Sequence, residues 1–387
     1  MCRKGIFFFS LLISFFLQAG EPIRQTICLN MIVKNESRVI ARCLESVKPL
    51  IDTWVIVDTG SSDGTQEIIK EYLKELPGTL YERPWVDFGH NRQEALELAK
   101  DKADYILFMD ADETLVYPKD FSLKQLDRDY YYITVQDTSL DKMAYNRFFL
   151  INSRLPWKWK DILHEYLQVP AGAKGGEKFA YLLCQTDSDG FRSQDPQKYL
   201  KDAQVFEKAL EKDPNNARYV FYLAQSYANG KDYESALKNY LKRAEMKSGW
   251  DKEIYWSYYM AGCLSQELKK EEEQILRNYA AAYMQDPTRA EPLFRMTNYY
   301  NEKGKYLLGY AVGKLAISLQ EPLDEMFVLK WIYDYGALSA LSDSSFYLGK
   351  KEETLSIFDE ILSKKSLPEQ LKKSIESKRS ILLSKNK

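Results

Sequence analysis

The sequence predicts two folds in one chain, an α/β domain with a mainly parallel sheet followed by an all-α array of helical repeats. Three observations predict this. Short apolar runs alternate with amphipathic stretches from Thr26 to about Gln185. Each of the clearest runs ends abruptly in a polar cluster. From about Pro196 the rhythm changes to continuous pairs of helical stretches rich in Tyr, Ala and Gly. Alternating strand and helix signals imply parallel pairing with helices on the sheet faces, whereas a phrase repeated every few tens of residues implies a stacked array.

The first half reads in order. Thr26–Val33 is a buried strand, and Ser37 is placed to cap a helix with Val39, Ile40, Cys43, Leu44 and Val47 on one stripe. Thr53–Val57 is a second strand, followed by a polar turn and a helix from Thr65. Thr79–Glu82 is a third strand, residues 91–100 form a helix through Ala95, Leu96, Leu98 and Ala99, and Tyr105–Met109 is a fourth strand. Beyond Leu115 the pattern yields two isolated strands, Tyr130–Val135 and Tyr145–Ile151. In such sheets ligands bind beyond the carboxyl ends of the strands, where the polar clusters fall. In the second half, Asp213-Pro214 opens a phrase containing Tyr222, Ala224, Gly230, Tyr233 and Ala236, and Asp286-Pro287 restarts it 73 residues later. That separation is two units of about 36 residues, close to the 34-residue period of tetratricopeptide repeats, which these helices resemble. A middle unit fits around Tyr255–Tyr283, and a degenerate one runs from Tyr333 to Leu362.

Composition sets the outer bounds. The 387 residues suffice for two or three domains. With 45% hydrophobic and 28% charged residues and a net charge of −2, nothing points to nucleic acid. Lys364–Lys387 carries eight basic and two acidic residues, which reads as a solvated helix face. Five cysteines lack any paired spacing and read as small buried hydrophobes. Residues 1–20 combine a basic start, an apolar run from Ile6 to Leu17 and small residues at Ala19-Gly20. This is signal-peptide-like, so the expectation is an exported or membrane-tethered protein, with a cytoplasmic one as the alternative. The expected division is therefore a leader over 1–20, an α/β domain over 21–190 and helical repeats over 191–387.

Three clusters carry the chemistry. Lys34-Asn35-Glu36 follows strand one, and Asp58-Thr59-Gly60-Ser61-Ser62-Asp63-Gly64-Thr65 follows strand two. Glycines and small hydroxyls there let backbone approach a ligand at a helix start. Asp110-Ala111-Asp112-Glu113 follows strand four, with two carboxylates spaced to present oxygens to a divalent cation. In this order, the motifs VKNE, VDTGSSDGT and DAD resemble the family 2 glycosyltransferases of the GT-A fold, a Rossmann-like architecture. In particular they are similar to the branch often fused to tetratricopeptide repeats. The resemblance covers about residues 26–170.

The resemblance implies roles. Asp58 would hydrogen-bond the nucleotide base, typically uracil, and Asp110 would bind the ribose. Asp112 would hold Mn²⁺ or Mg²⁺ against the diphosphate of a nucleotide-sugar, a UDP-sugar in the usual case. Asn91-Arg92 would place its arginine near base and phosphates, with Asn35 and Glu36 also on the donor side. One of the chain's two histidines, His164, adjoins Glu165 in the segment Trp157–Glu165. His164 would complete the metal shell, and Glu165 or Asp161 would be the base that deprotonates the acceptor. Trp157 and Trp159 are open to two readings, sugar platforms or core. Implied overall is a metal-dependent inverting transfer to a protein, peptide or glycan acceptor, with the repeats available to a protein partner. Tyr105–Leu115 also fits the DxDx[T/V] strand of haloacid-dehalogenase-like phosphatases. That strand comes fourth here and is soon followed by the repeats, which leaves no room for the remaining phosphatase motifs. The alternative from another class is a repeat scaffold whose glycosyltransferase-like domain only binds.

Overall fold

The computed structural model describes residues 25–121, 123, 126–138, 144–322 and 327–384. The signal-like leader lies outside them. The chain divides into two compact units between Asp195 and Pro196.

The first unit is built on an eight-stranded sheet. In chain order its elements are β1 (Ile27–Val33), α1 (Ile40–Val47), β2 (Thr53–Asp58), α2 (Thr65–Tyr72), β3 (Gly78–Glu82), α3 (Phe88–Ala99), β4 (Tyr105–Phe108), β5 (Glu113–Val116), β6 (Tyr130–Asp137) and β7 (Ala144–Asn152). A small antiparallel pair, β8 (Lys158–Lys160) and β9 (Tyr166–Gln168), precedes the long β10 (Gly175–Thr186). The sheet order is β3-β2-β1-β4-β7-β6-β10-β5. The half from β3 to β4 is wholly parallel. In the other half β7 runs antiparallel to β4 and to β6, and β5 antiparallel to β10, while β6 and β10 are parallel.

Alternation along β1 explains both layers. Ile27, Leu29, Met31 and Val33 face the core under α1, while Cys28 faces the core with Leu96 and Ala99 of α3. Asn30 is the polar residue on that second face. It stays buried because its amide donates to the carbonyls of Val55 (3.2 Å) and Ala95 (2.9 Å), stitching strand to helix.

Helix starts differ from the sequence expectation in two places. Ser37 does not cap α1; its amide donates to Asp63 (3.0 Å), and the Glu36 carbonyl receives the amides of Val39 and Ile40. The tertiary partner Asp63 thus holds the residue that a local motif would have used. Helix α3 begins three residues early, at Phe88, because Asp87 caps it through the His90 amide (2.7 Å). Strands β5, β8, β9 and β10 were not expected. The first half of β10 is largely exposed and carries no clear alternation.

The second unit comprises α4 (Lys198–Lys212), α5 (Ala217–Asn229), α6 (Tyr233–Glu245), α7 (Asp251–Glu267), α8 (Glu272–Gln285), α9 (Glu291–Glu302), α10 (Tyr306–Ala316), α11 (Ala337–Tyr347), α12 (Lys351–Leu362) and α13 (Glu369–Ser384). Helix α11 is entered through a π-helical turn at Ile332–Gly336. The repeat is legible in its bonds: Lys270 to Glu234, Tyr255 to Glu291, Arg295 to Tyr259 and Gln266 to Glu302 each span 36 residues. Large rings do pack on small residues. A Cβ at Gly262 would lie 2.5 Å from the Tyr279 ring, so α7 and α8 need glycine there to approach. At the start of α9, Glu291 and Arg289 are both fully buried and pair at 2.7 Å, with the hydroxyls of Tyr255 and Tyr333 donating to the same carboxylate. Many of the tyrosines therefore serve as core residues with satisfied polar tips.

Candidate active site

The site is assembled from strand ends. After β2, Asp58 turns its Oδ1 back to accept the amides of Gly60 (2.9 Å) and Ser61 (2.8 Å), which shapes the loop. Its Oδ2 is buried with no hydrogen-bond partner among the described residues. An orphaned carboxylate oxygen is costly unless a ligand donor meets it. Gly64 precedes α2 at φ +92°, a left-handed conformation that favours glycine. Asn35, itself at φ +56°, ties this loop to β1: its side-chain oxygen accepts from Ser62 and its amide donates to Ser61. Asn35 therefore shapes the site through Ser61 and Ser62.

Around the acidic turn after β4, opposite charges alternate through space. The Arg92 Nε donates to Glu165 at 2.6 Å and its second guanidinium nitrogen to Asp110 at 2.7 Å. Arg147, on β7, reaches the other oxygen of Asp110 at 3.3 Å and grips Glu113 through two nitrogens at 2.5 and 2.7 Å. Glu113 Oε2 in turn accepts the Asp110 amide at 2.8 Å. Burial alone would push the Asp110 carboxyl up, but the guanidiniums of Arg92 and Arg147 outweigh it and hold it below the usual carboxylate range. Arg92 also lies over the Trp159 ring, 5.3 Å from its centroid. Trp159 packs edge-on against Phe108, and Trp157 is buried, its indole bonded to the Asn152 carbonyl. Trp157 is a core residue, and Trp159 is half-buried, packed against that core with Arg92 over its ring.

Asp112 is the half-buried carboxylate of the turn. Its carbonyl accepts from Arg42, which also pairs with Asp189. The 189–191 segment closes over this corner: the Phe191 amide donates to Glu36 (3.1 Å), and a Cβ at Gly190 would stand 3.1 Å from Asp112 Oδ2 and 3.3 Å from Glu36 Oε2. Burial, then the charges of Asp110 and Glu113, pushes the Asp112 carboxyl up to about 6. Burial also leads at Glu36, with Asp112, Asp110 and Asp63 adding to it; the Phe191 amide opposes them, and the carboxyl reaches about 7.

His164 and Asp161 sit on one strained loop, at φ +54° and +70°, and His164 is exposed. No group of three or more His, Cys, Asp or Glu side chains among the described residues forms a ready-made metal cage. A hard divalent cation bound through one or two carboxylates, with phosphate oxygens filling the remaining positions, needs no such cage. The crowded, upward-shifted Asp112 beside Glu36 fits that arrangement.

Two expected results follow from this geometry. Because both carboxyls are shifted upward, the folded chain holds these protons more tightly than the unfolded one. Their stabilisation is full below the ordinary carboxylate pKa and is lost as pH rises through about 6 to 7. Cation binding has the opposite sign. Mn²⁺ affinity is expected to rise with pH on the acid side, about tenfold per unit for each carboxyl that must give up its proton, and to level off above about pH 7, read by titration calorimetry; a flat profile would contradict it. The second concerns Gly89, where a Cβ would lie 2.1 Å from the Asp161 carbonyl oxygen. Gly89→Ala is expected to cost about 1–3 kcal/mol in thermal unfolding and to lower turnover, because the 161–165 loop must move.

Sequence reasoning brought out Asn35, Glu36, Asp58, Arg92, Asp110, Asp112, Asp161, His164 and Glu165. It missed Arg147, Glu113, Arg42 and the 189–191 segment. Glu113 carried the one available signal, its place directly after the DAD motif.

Both halves of the chain resemble known proteins. Residues 28–130 match the family described as Glycosyl transferase family 2, and residues 205–238 match Tetratricopeptide repeat. A TPR repeat-containing protein of Synechococcus elongatus is 40% identical over 23% of this chain and 21% of its own length. The SPbeta prophage-derived glycosyltransferase SunS of Bacillus subtilis is 37% identical over 22% of this chain and 20% of its own. An uncharacterized glycosyltransferase of Rickettsia felis is 32% identical over 32% of this chain and 39% of its own. The chain thus spans between one fifth and two fifths of the length of these curated relatives. The mostly parallel first unit thus carries the family 2 glycosyltransferase match over residues 28–130, and the helical second unit carries the tetratricopeptide match over residues 205–238.

Proposed function

We propose that the protein transfers a sugar from a nucleotide-sugar, a UDP-sugar in the first instance, to a protein, peptide or glycan acceptor with inversion at the anomeric carbon. The observation that carries this reading is the convergence of Asp110, Arg92 and Glu165 in one bonded set, with Asp112 on the same turn. Asp58, through its orphaned Oδ2, suits a donor group on the nucleotide base. A divalent cation held by Asp112 beside Glu36, with His164 as a further candidate ligand, would supply charge neutralisation for the leaving diphosphate. Glu165, oriented by Arg92, takes the proton of the acceptor hydroxyl as that oxygen bonds to the anomeric carbon and the bond to the phosphate oxygen breaks. Asp161, on the same loop, is the alternative base. The repeats offer the kind of stacked surface that binds a protein partner, and the signal-like leader suggests an exported or membrane-tethered protein.

The test is nucleotide release with Mn²⁺ or Mg²⁺ across a panel of nucleotide-sugar donors. Metal-dependent UDP release supports the reading. UDP binding with no release from any donor would favour the scaffold reading, and neither binding nor release would overturn both.

A further inference from the structure

We propose that Arg147 is a positioning residue for the catalytic turn: together with Arg92 it holds Asp110 by both carboxylate oxygens and so sets where Asp112 points. The assignment rests on the donor-site reading above.

Topology puts Arg147 in place. Strand β7 runs antiparallel to β4 with Leu107 opposite Leu150 and Ile106 opposite Ile151. Past that ladder, and beyond an irregularity in β7 between Leu150 and Phe148, Arg147 comes to the turn that follows β4. Its guanidinium then makes two parallel bonds to Glu113 and one to Asp110. The fork geometry of arginine is what permits this, since an ammonium is a single point of charge. Glu113 is itself nearly inaccessible, with its side chain 4% exposed. Asp110 is therefore tied down three times. Arg92 and Arg147 hold the Asp110 carboxylate, and Glu113 holds the Asp110 amide. Asp112 is two residues from that anchor, and its own carbonyl is held by Arg42.

Without Arg147, the buried Glu113 loses its counter-charge, and Asp110 keeps only Arg92. Breaking one half of a buried ion pair costs more than removing both halves. That asymmetry separates a merely structural role from a positioning one. In the double variant Arg147→Met with Glu113→Gln, no unpaired buried carboxylate remains at Glu113, and the glutamine oxygen still accepts the Asp110 amide. Stability should return, yet Asp110 is still held by a single guanidinium.

The experiment measures Mn²⁺ binding in the presence of UDP on the full-length protein, by electron paramagnetic resonance, beside thermal unfolding. Arg147→Met is expected to weaken Mn²⁺ binding by about 10–100-fold, the usual effect of losing a partner behind a metal ligand, and to lower Tm. Arg147→Lys should fall between Met and the wild type. The double variant should recover Tm while Mn²⁺ binding stays at least about tenfold weak. Mn²⁺ affinity that is unchanged in Arg147→Met, or that recovers in step with Tm in the double variant, would overturn the assignment. If Arg147→Met does not fold, the Lys and double variants decide alone. A wild-type protein that binds no Mn²⁺ with UDP overturns the donor-site reading and this inference with it, and is recognised by that result before any variant is made.

Discussion

Asp112→Ala is expected to remove donor turnover, by about 10²–10³-fold or more, without unfolding the protein. Asp112 sits half-buried among like charges, and its ionised form is disfavoured by burial and by Asp110 and Glu113. Its removal relieves repulsion, so in the absence of metal the melting temperature should hold or rise. On the proposed function, Mn²⁺ with UDP is expected to raise the melting temperature of the wild type but not of Asp112→Ala, because a ligand stabilises only the state that binds it. Thermal melts with and without Mn²⁺ and UDP, run beside a nucleotide-release assay, check both parts. Turnover near the wild-type level in Asp112→Ala, or indifference of the wild type to chelation, would refute the role of Asp112.

Glu165→Gln is expected to lower turnover by about 10²–10⁴-fold with little change in donor affinity. Glutamine keeps the size of the side chain but can neither take the acceptor proton nor complete the charge pair with Arg92, whose Nε lies 2.6 Å from Glu165 Oε1. Arg92 retains Asp110, so the turn should keep its place and the loss should appear in kcat more than in the donor KM. Steady-state kinetics on the wild type, Glu165→Gln and Asp161→Asn separate the two candidate bases. A large loss for Asp161→Asn with none for Glu165→Gln would transfer the role to Asp161.

The two expectations draw on different kinds of information. Strands β1, β2 and β4 are legible in the sequence because parallel strands buried on both faces must be continuous apolar runs, such as ICLNMIV and YILF. The clusters at their ends are legible because a polar group can leave the core only there. The helical repeats show for a similar local reason, the recurrence of aromatic and small residues that appears in the structure as bonds spanning 36 residues. Strand β10 did not show, since its first half is exposed and it draws its order from β6 and β5.

What the sequence by itself determined is the pair of folds, the strand-end positions of Asp58, Asp110 and Asp112, and the presence of Glu165 beside His164. Tertiary structure decided what those residues do for one another. The chain of charges from Glu165 through Arg92, Asp110 and Arg147 to Glu113 takes its members from the loop before β9, from α3, from the β4 turn, from β7 and from the start of β5. No spacing in the sequence links residues 92, 147 and 165. They meet because the antiparallel pairing of β4 with β7 brings the strand that carries Arg147 beside the β4 turn, and because α3 docks at Asp161 where Gly89 leaves room. Periodicity is a property of neighbours along the chain, and a charge becomes a partner only when packing brings its opposite within reach.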